Sequence, residues 1–512
     1  MAGAGNGKGD AANRVPITIA VMLATIMNSL DTTIANVALP HIQGSVSASA
    51  EQITWVLTSY IVAATIMTPL TGFLADRVGR KMVFLVSIAG FTAASMLCGI
   101  AGSLVEIVLF RLLQGVFGAA LIPLSQAVLL DINPPEKHGS AMAIWGAGAV
   151  LGPILGPALG GWLTDNLDWR WVFFINLPIG ILAFAGVFLF LSEKKSAEKR
   201  RFDVVGFASL ALAIGGFQMM LDRGPSQDWF GSTEIWVYLI VGIVSLWIFG
   251  VQLATAKKPF VDRALLADTN FVTCCVFGFF IGILLYSVLA LLPPMMQNLL
   301  GYPVAFTGLV SMPRGIGSFI AMFAVGQLIG RMSIKLILLI GLSVSAVSLW
   351  MMTQFSLGMD THLIIVSGFL SGVGTGLIFV PLSTIAFATV MPQHRAEGAG
   401  LFTLIRNIGS AAGISIMQAR FVSGIEVHHA KLVEHARSDN PLFQAYAPLA
   451  FATTEAMAKF NALITRQASM LSYIDDFQLM LGITILCAPM ILLMRTPKKK
   501  SPGEETIHVA EH

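Results

Sequence analysis

Charge is scarce in this sequence. Asp, Glu, Lys and Arg make up 12% of its 512 residues, against about 25% in a typical soluble domain. With 55% hydrophobic residues, an ordinary soluble fold is excluded, because so much apolar surface cannot be hidden in a core. The mean hydropathy of +0.78 places the chain in a membrane instead. A basic tract of the kind nucleic acid needs is missing as well, and a net charge of +3 is unremarkable. Cysteine is limited to Cys98, Cys274, Cys275 and Cys487, all within apolar stretches. That excludes a disulfide framework of the secreted type, and Cys274-Cys275 reads as packing rather than as a thiol site. Nine histidines are scattered over loops, tails and span ends, and the His428-His429 pair lacks a third ligand at useful spacing. No metal centre is therefore expected, and no cofactor. A nucleotide-binding glycine loop and a nucleophile-base arrangement are also missing, which argues against an enzyme and against ATP drive within this chain. The opening MAGAGNGKGDAANR has no apolar stretch or cleavage site, so the first span is expected to stay as an anchor.

Long apolar runs are what the sequence has in abundance. A membrane-crossing helix needs about 20 mostly apolar residues. That criterion predicts helices near 15–37, 53–73, 82–101, 104–130, 140–163 and 172–191. Two follow near 203–221 and 233–254, and six near 271–293, 304–329, 334–354, 362–388, 397–420 and 476–494. Most of the 31 Lys and Arg fall in alternate loops and tails, including EKKSAEKRR at 193–201, KKPFVDR at 257–263 and RTPKKK at 495–500. The excess of basic residues on one side sets orientation, so both termini are expected in the cytoplasm, which requires an even number of spans. Fourteen satisfies this. The segment 421–475 is a long outside loop with Pro441, Pro448 and mixed charges. Two readings stand for it, an amphipathic loop lying on the membrane and a docking surface for a partner.

One internal repeat supports two related halves. GFLADRVGRK at 72–81 and GQLIGRMSIK at 326–335 share Gly, Leu, Arg and Lys in register, each after a predicted span. The copies begin 326 − 72 = 254 residues apart. Six spans need roughly 180–200 residues, from about 20 apolar residues each plus loops, so the excess is about two helices. That matches the pair at 203–221 and 233–254, which lack deep charge and are expected at the periphery. The count thus reads as six, two and six.

GFLADRVGRK closely resembles the cytoplasmic signature between the second and third helices of the major facilitator superfamily. In it, Gly72 and Gly79 permit tight packing and a sharp turn, and Asp76 can cap or face a helix amino terminus. Arg77, Arg80 and Lys81 are basic residues at the cytoplasmic surface. The resemblance implies that this loop latches the outward-facing state. LFRLLQGVFGAA at 109–120 is similar to the fourth-helix motif, whose arginine is Arg111. GAVLGPILGPALGG at 148–161 resembles the fifth-helix motif of antiporters. Its Gly148, Gly152, Gly156 and Gly160 recur every four positions on one helix face and permit close contact. Gly161 closes the motif, and Pro153 and Pro157 are expected to supply bends. LDTTIANVALP (30–40), WRWVFFINLPIG (169–180), LDRG…DWF (221–230) and PRG (313–315) are similar to segments of the fourteen-span drug:proton antiporters.

The fold class these readings imply is an all-α integral membrane protein of the major facilitator fold, two six-helix bundles plus two inserted helices. The expected divisions are a tail at 1–13, the first bundle at 14–192, the inserted pair at 193–258, the second bundle at 259–494 and a tail at 495–512. Of 28 acidic residues, Asp31 alone falls well inside a predicted span. A carboxylate at that depth is costly and points to function, which makes Asp31 the proton-coupling candidate with Arg111 as partner. The opposing reading is a purely structural Asp31–Arg111 pair. Asn28, Thr32, Asn36, Gln114, Gln126 and Arg406 are expected to line the cavity, and Arg314, beside Pro313, to snorkel or to satisfy a helix break. The resemblance implies proton-driven export of hydrophobic drugs or other toxic small molecules from a bacterial inner membrane, with antibiotic resistance as a consequence. It further implies a periplasmic adaptor and an outer-membrane channel as partners. Export of one metabolite, lipid or siderophore is the alternative, and a non-transporting membrane receptor or scaffold is a more distant one.

Overall fold

The computed structural model describes residues 13–193, 202–329, 331–391, 394–435 and 453–494. The basic stretches at 194–201 and 495–500, and Pro441 and Pro448, lie outside these residues. Helices make up nearly all of the described chain. Thirteen are long and apolar enough to cross a membrane, and one bent pair supplies a fourteenth crossing.

The first six crossings are α1 (Arg14–Ser45), the bent pair α2 (Trp55–Met67) and α3 (Leu70–Val78), α4 (Arg80–Ile100), α5 with α6 (Leu104–Gly118 and Leu121–Ile132), α7 (His138–Asn166) and α8 (Asn176–Phe190). The 56° bend between α2 and α3 falls at Thr68-Pro69, where proline removes a backbone donor and clashes with the preceding turn. Next come α9 (Val204–Arg223) and α10 (Thr233–Thr255). The last six are α11 (Thr269–Pro294), α12 (Val304–Leu328), α13 (Ile334–Met352), α14 (Thr361–Ala386), α15 (Arg395–His435) and α16 (Thr454–Cys487). Polar caps mark where helices begin at the membrane edge. Ser103, Asp203, Ser232, Asp268 and Ser333 each accept a hydrogen bond from a backbone N–H in the first turn of the next helix, satisfying donors the helix itself cannot pair.

Helices α1 to α8 pack on one another, as do α11 to α16. The two groups meet chiefly where α7 and α14 approach α12 and α7, and where α15 lies on α3 and α6. Large apolar side chains such as Leu182, Phe188, Trp247 and Leu486 are exposed, as lipid-facing positions require.

Two expectations need correction. The segment 421–475 is not a loop at its ends. α15 continues to His435 and α16 begins at Thr454, and the two extensions pair through His429 Nε2 and Asn461 Oδ1 at 3.0 Å. Nor are both inserted helices peripheral. α10 is largely exposed, but α9 packs on α2 of the first group and on α15 of the second. Leu210 and Ile214 of α9 sit in one apolar cluster with Ile66 and Leu404, so α9 closes the seam between the groups along this side. α7 runs as one helix from His138 to Asn166, with Pro153 and Pro157 inside it. The side chain of Pro157 lies outside the described residues.

Candidate functional site

Asp31 sits midway along α1 and is fully buried. Its Oδ2 accepts a hydrogen bond from Arg111 Nη1 at 2.7 Å. Its Oδ1 accepts from Gln114 Nε2 and from Asn176 Nδ2, both at 2.8 Å. Arg111 is satisfied in turn. Nη1 also donates to Gln114 Oε1 at 2.7 Å and Nε to the Val56 carbonyl at 3.1 Å. The guanidinium lies 4.6 Å from the Tyr60 ring centroid and 5.6 Å from that of Phe173. Asn176 extends the network by donating to Ser95 Oγ at 2.9 Å. The residues come from α1, α2, α4, α5 and α8, with Phe173 just before α8, so one carboxylate ties together most of the first group.

This geometry relocates several expected residues. Gln114 belongs to the Asp31 network. The Asn28 amide donates to the Tyr60 hydroxyl at 3.0 Å and to the Gly118 carbonyl at 3.3 Å, so it too is bonded inside the first group. Arg111 likewise faces the inside of the first group. Thr32 is half-buried and Asn36 exposed, each bonding only within α1. Tyr60, Ser95, Phe173 and Asn176 escaped the sequence reading as site residues, since neutral side chains in apolar spans carry no signal of their partners. Arg314 of α12 reaches across to α11, donating through Nη2 to the Leu285 carbonyl at 2.9 Å. All four cysteines are buried and free, and no metal-binding group occurs among the described residues.

The opposite face of α1 rests on the glycines of α7. A Cβ on Gly152 would fall 2.5 Å from Ser29 Oγ, and one on Gly160 2.9 Å from Ile34. Gly156 faces Thr33 and Gly148 faces Met22 as closely. Ser29 Oγ donates to the Ala149 carbonyl at 2.5 Å and Thr33 Oγ1 to the Gly152 carbonyl at 3.1 Å. Absence of side chains on α7 thus lets backbone meet helix directly, with hydroxyls stitching the seam.

α7 also carries the main contact to the second group, running antiparallel to α12. Gly139 meets Ile329, Ala143 meets Gly326, Gly146 meets Met322 and Ile154 meets Gly315. The paired numbers sum to 468 or 469 throughout. The same register would pair Gly161 with Gly308 (161 + 308 = 469), yet among the described residues neither has a neighbour within 4 Å of its Cβ position. The helices therefore touch from the end bearing the chain termini to about midway, then separate. Packing of α15 follows the same pattern, engaging α3 and α6 at the terminal end.

The loop at 72–81 stands at that closed end. Gly72 lies under α15, where a Cβ would be 2.6 Å from Glu397 Cα. Gly79 has φ +104°, a conformation that favours glycine. Arg77 lies 5.9 Å from the Phe73 ring, and Lys81 Nζ donates to the Phe188 carbonyl at 2.7 Å. Arg80 pairs with Asp131 at the end of α6, and Arg395 at the start of α15 pairs with the same carboxylate at 3.1 Å. Asp131 therefore holds the loop and the second group at once. Glu397 also accepts from the Asp262 N–H at 2.5 Å, and Asp76 makes contacts of its own. The second copy of the repeat occupies the matching place, with Gly326 and Ile329 against the first two turns of α7.

Between the groups, Trp145 of α7 stacks on Phe379 of α14 with ring centroids 5.5 Å apart, and the Arg406 guanidinium lies 5.3 Å over that same ring. Arg406 Nε, Trp145 Nε1 and both polar atoms of Gln126 are buried without a hydrogen-bond partner. Of the expected cavity residues, Gln126 and Arg406 are those left with unmet polar atoms. A deep carboxylate held by a cation, a close-packed seam and a splayed inter-group interface are parts of a transporter, and none resembles a catalytic centre.

Comparison with known proteins agrees. Residues 21–414 match the family described as Major Facilitator Superfamily. The multidrug export protein EmrB of Escherichia coli (strain K12) is 35% identical over 95% of this chain and 96% of its own length. The fatty acid resistance protein FarB of Neisseria gonorrhoeae is 36% identical over 95% of this chain and 97% of its own. Among solved structures, that of the human organic anion transporter MFSD10 (TETRAN) superposes with a TM-score of 0.61 at 15% identity, covering 92% of this chain and 99% of that one. At that identity the likeness speaks for the fold alone. The chain is a multi-pass membrane transporter rather than an enzyme, and it belongs to the major facilitator superfamily.

Proposed function

We propose that this protein is a proton-coupled antiporter that exports hydrophobic small molecules, including drugs, from the cytoplasm or inner leaflet by alternating access. The observation that carries the reading is the Asp31 site. A carboxylate at this depth is tolerated because Arg111, Gln114 and Asn176 satisfy it. Protonation removes its charge, weakens the hold on Arg111 and loosens α1 from α5 and α8. Because α1 is seated on the glycines of α7, and α7 carries the main contact to α12, a change at Asp31 reaches the inter-group interface through packed backbone. That is a two-state element biased by one proton.

The orientation that fits the basic loops puts both termini in the cytoplasm, in a bacterial inner membrane. The closed end then faces the cytoplasm and the splayed end the periplasm, an outward-facing state latched by the 72–81 loop. EmrB and FarB are named for multidrug export and fatty acid resistance, which supports a hydrophobic substrate class here. The paired extensions of α15 and α16 rise beyond the membrane on the periplasmic side and expose Val422, Val427, Val433, Met457 and Leu463. They offer a surface for a periplasmic adaptor leading to an outer-membrane channel. The two groups correspond to bundles at 14–192 and 259–494, with the inserted pair at 193–258 between them.

The test is purified protein in proteoliposomes with an imposed pH gradient and a lipophilic fluorescent dye. Dye movement opposite to proton flux supports the reading. Dye movement indifferent to the gradient overturns proton coupling, and none with any of a panel of hydrophobic compounds favours a receptor or a dedicated exporter.

A further inference from the structure

A second carboxylate is buried in α16, within the other group of helices. Asp476 is 1% exposed, and neither of its oxygens has a hydrogen-bond partner. Its nearest cation is Arg420 of α15, whose Nε lies 3.6 Å from Oδ1, beyond hydrogen-bond reach, and whose side chain is 49% exposed. This differs sharply from Asp31, where three donors converge on a carboxylate facing a buried guanidinium. An ionised carboxylate without hydrogen bonds is one of the most costly groups to bury, and a half-exposed arginine without good geometry offsets little of that cost. The neutral acid removes the conflict.

We propose that Asp476 is a second proton-binding site of this exporter, loaded from the periplasmic side, with Arg420 as the competing cation. This deepens the proton-coupled reading above and rests on its orientation. Position supports access from outside. Arg420 stands 420 − 395 = 25 residues along α15 from its start at Arg395, about 37 Å of helix at 1.5 Å per residue, more than the ~30 Å hydrocarbon thickness. Phe477, next to Asp476, packs on Phe355 just past the end of α13, so the carboxylate lies just inside the outer rim.

The surroundings leave few groups that could compete. From α15 the facing charged groups are Arg420 and His428, the latter bonded at 2.8 Å to Asp475. α16 itself contributes Asp475 and Tyr473, whose ring packs on Phe421 of α15 at 4.2 Å. The other elements packed on α16 are α11, the helical turn Met295–Leu299 that follows it, and α13. Their one charged residue is Lys335, which donates to the Leu492 carbonyl far along at the opposite end. The chemistry is a plain proton exchange. A hydronium ion in the periplasmic water gives its proton to an Asp476 oxygen, and Arg420, still charged, turns to solvent. When Arg420 turns back, the O–H bond breaks and the proton returns to water. Loading and release therefore alter how tightly α15 and α16 are held at the rim where the transport path opens.

Infrared titration of the full-length protein in lipid tests this, reading the carbonyl stretch of protonated carboxylic acids in wild type, Asp476→Asn, Arg420→Gln and Asp31→Asn. The expected result is a titrating acid band that is lost in Asp476→Asn. In Arg420→Gln its midpoint should rise by about one pH unit or more, since an opposite charge at this distance lowers a carboxyl pKa by about 1–3 units. In Asp31→Asn the band should persist. A spectrum unchanged by Asp476→Asn overturns the proposal, as does an Arg420→Gln midpoint identical to wild type. Should Asp476→Asn insert poorly, the Arg420→Gln midpoint alone decides. Loss of the band in Asp476→Asn together with full coupling in Asp31→Asn would sink the Asp31 assignment and leave this one standing.

Discussion

Asp31 and Arg111 are worth more to each other than either is to the fold alone. Removing one member of a buried pair strands the other, a loss of about 3–5 kcal/mol. Arg111→Met should therefore lower thermal stability more than Asp31→Asn, because asparagine keeps hydrogen bonds to Gln114 and Arg111 while methionine leaves a buried carboxylate without its cation, held by the neutral Gln114 and Asn176 amides alone. Thermal unfolding in detergent checks the order, and equal stability of the two variants would contradict the network. Part of this site was legible in the sequence. A charge inside an apolar run is conspicuous, which is how Asp31 and Arg111 were found. Asn176 and Ser95 were not, because they lie 145 and 81 residues from their partners Asp31 and Asn176. Asp476 was hidden for a different reason. Hydropathy starts the last span at 476, so the residue reads as a helix end, whereas α16 begins at Thr454 and buries it.

The α1–α7 seam is an element-scale feature with a clear control built in. Gly152 and Gly161 sit in one motif, but a Cβ on Gly152 meets Ser29 while one on Gly161 meets nothing within 4 Å. Gly152→Val should force α1 and α7 apart and abolish export, with a loss of stability of about 1–3 kcal/mol typical of overpacking. Gly161→Ala should behave as wild type in the same transport and unfolding assays. Equal tolerance of both would mean that the glycines do not set the helix approach. The four-residue spacing announced this seam, because it fixes a helix face whatever the partner. Which helix it meets was not legible. Nor was the 56° bend between α2 and α3 at Pro69 legible, since a kink depends on whether neighbours re-satisfy the freed backbone. The extensions of α15 and α16 were missed because helices outside lipid need no continuous apolar run.

For the molecule as a whole, the state seen is held by ion pairs at one end. Arg80 and Arg395 converge on Asp131 from the two groups, so Asp131→Asn should weaken the closed end and shift population toward the opposite state. Spin labels at Gly161→Cys and Gly308→Cys, in a background without the native cysteines, would read this as a shorter distance across the splayed end. An unchanged distance distribution would show that the latch lies elsewhere. The fourteen crossings and the doubled architecture were legible, because span count follows from apolar length and the repeat follows from spacing. The wedging of α9 between the groups was not, since lipid and a neighbouring helix are equally apolar partners.

Coupling through Asp31 is the claim on which the functional account turns, and substrate counterflow compared with gradient-driven transport tests it most directly. In proteoliposomes, wild type should show both dye exchange at equal pH and dye accumulation driven by a proton gradient. The account predicts that well-inserted Asp31→Asn keeps exchange and loses the gradient-driven component. Full gradient-driven accumulation by Asp31→Asn would contradict it and reduce the Asp31–Arg111 pair to a structural tie.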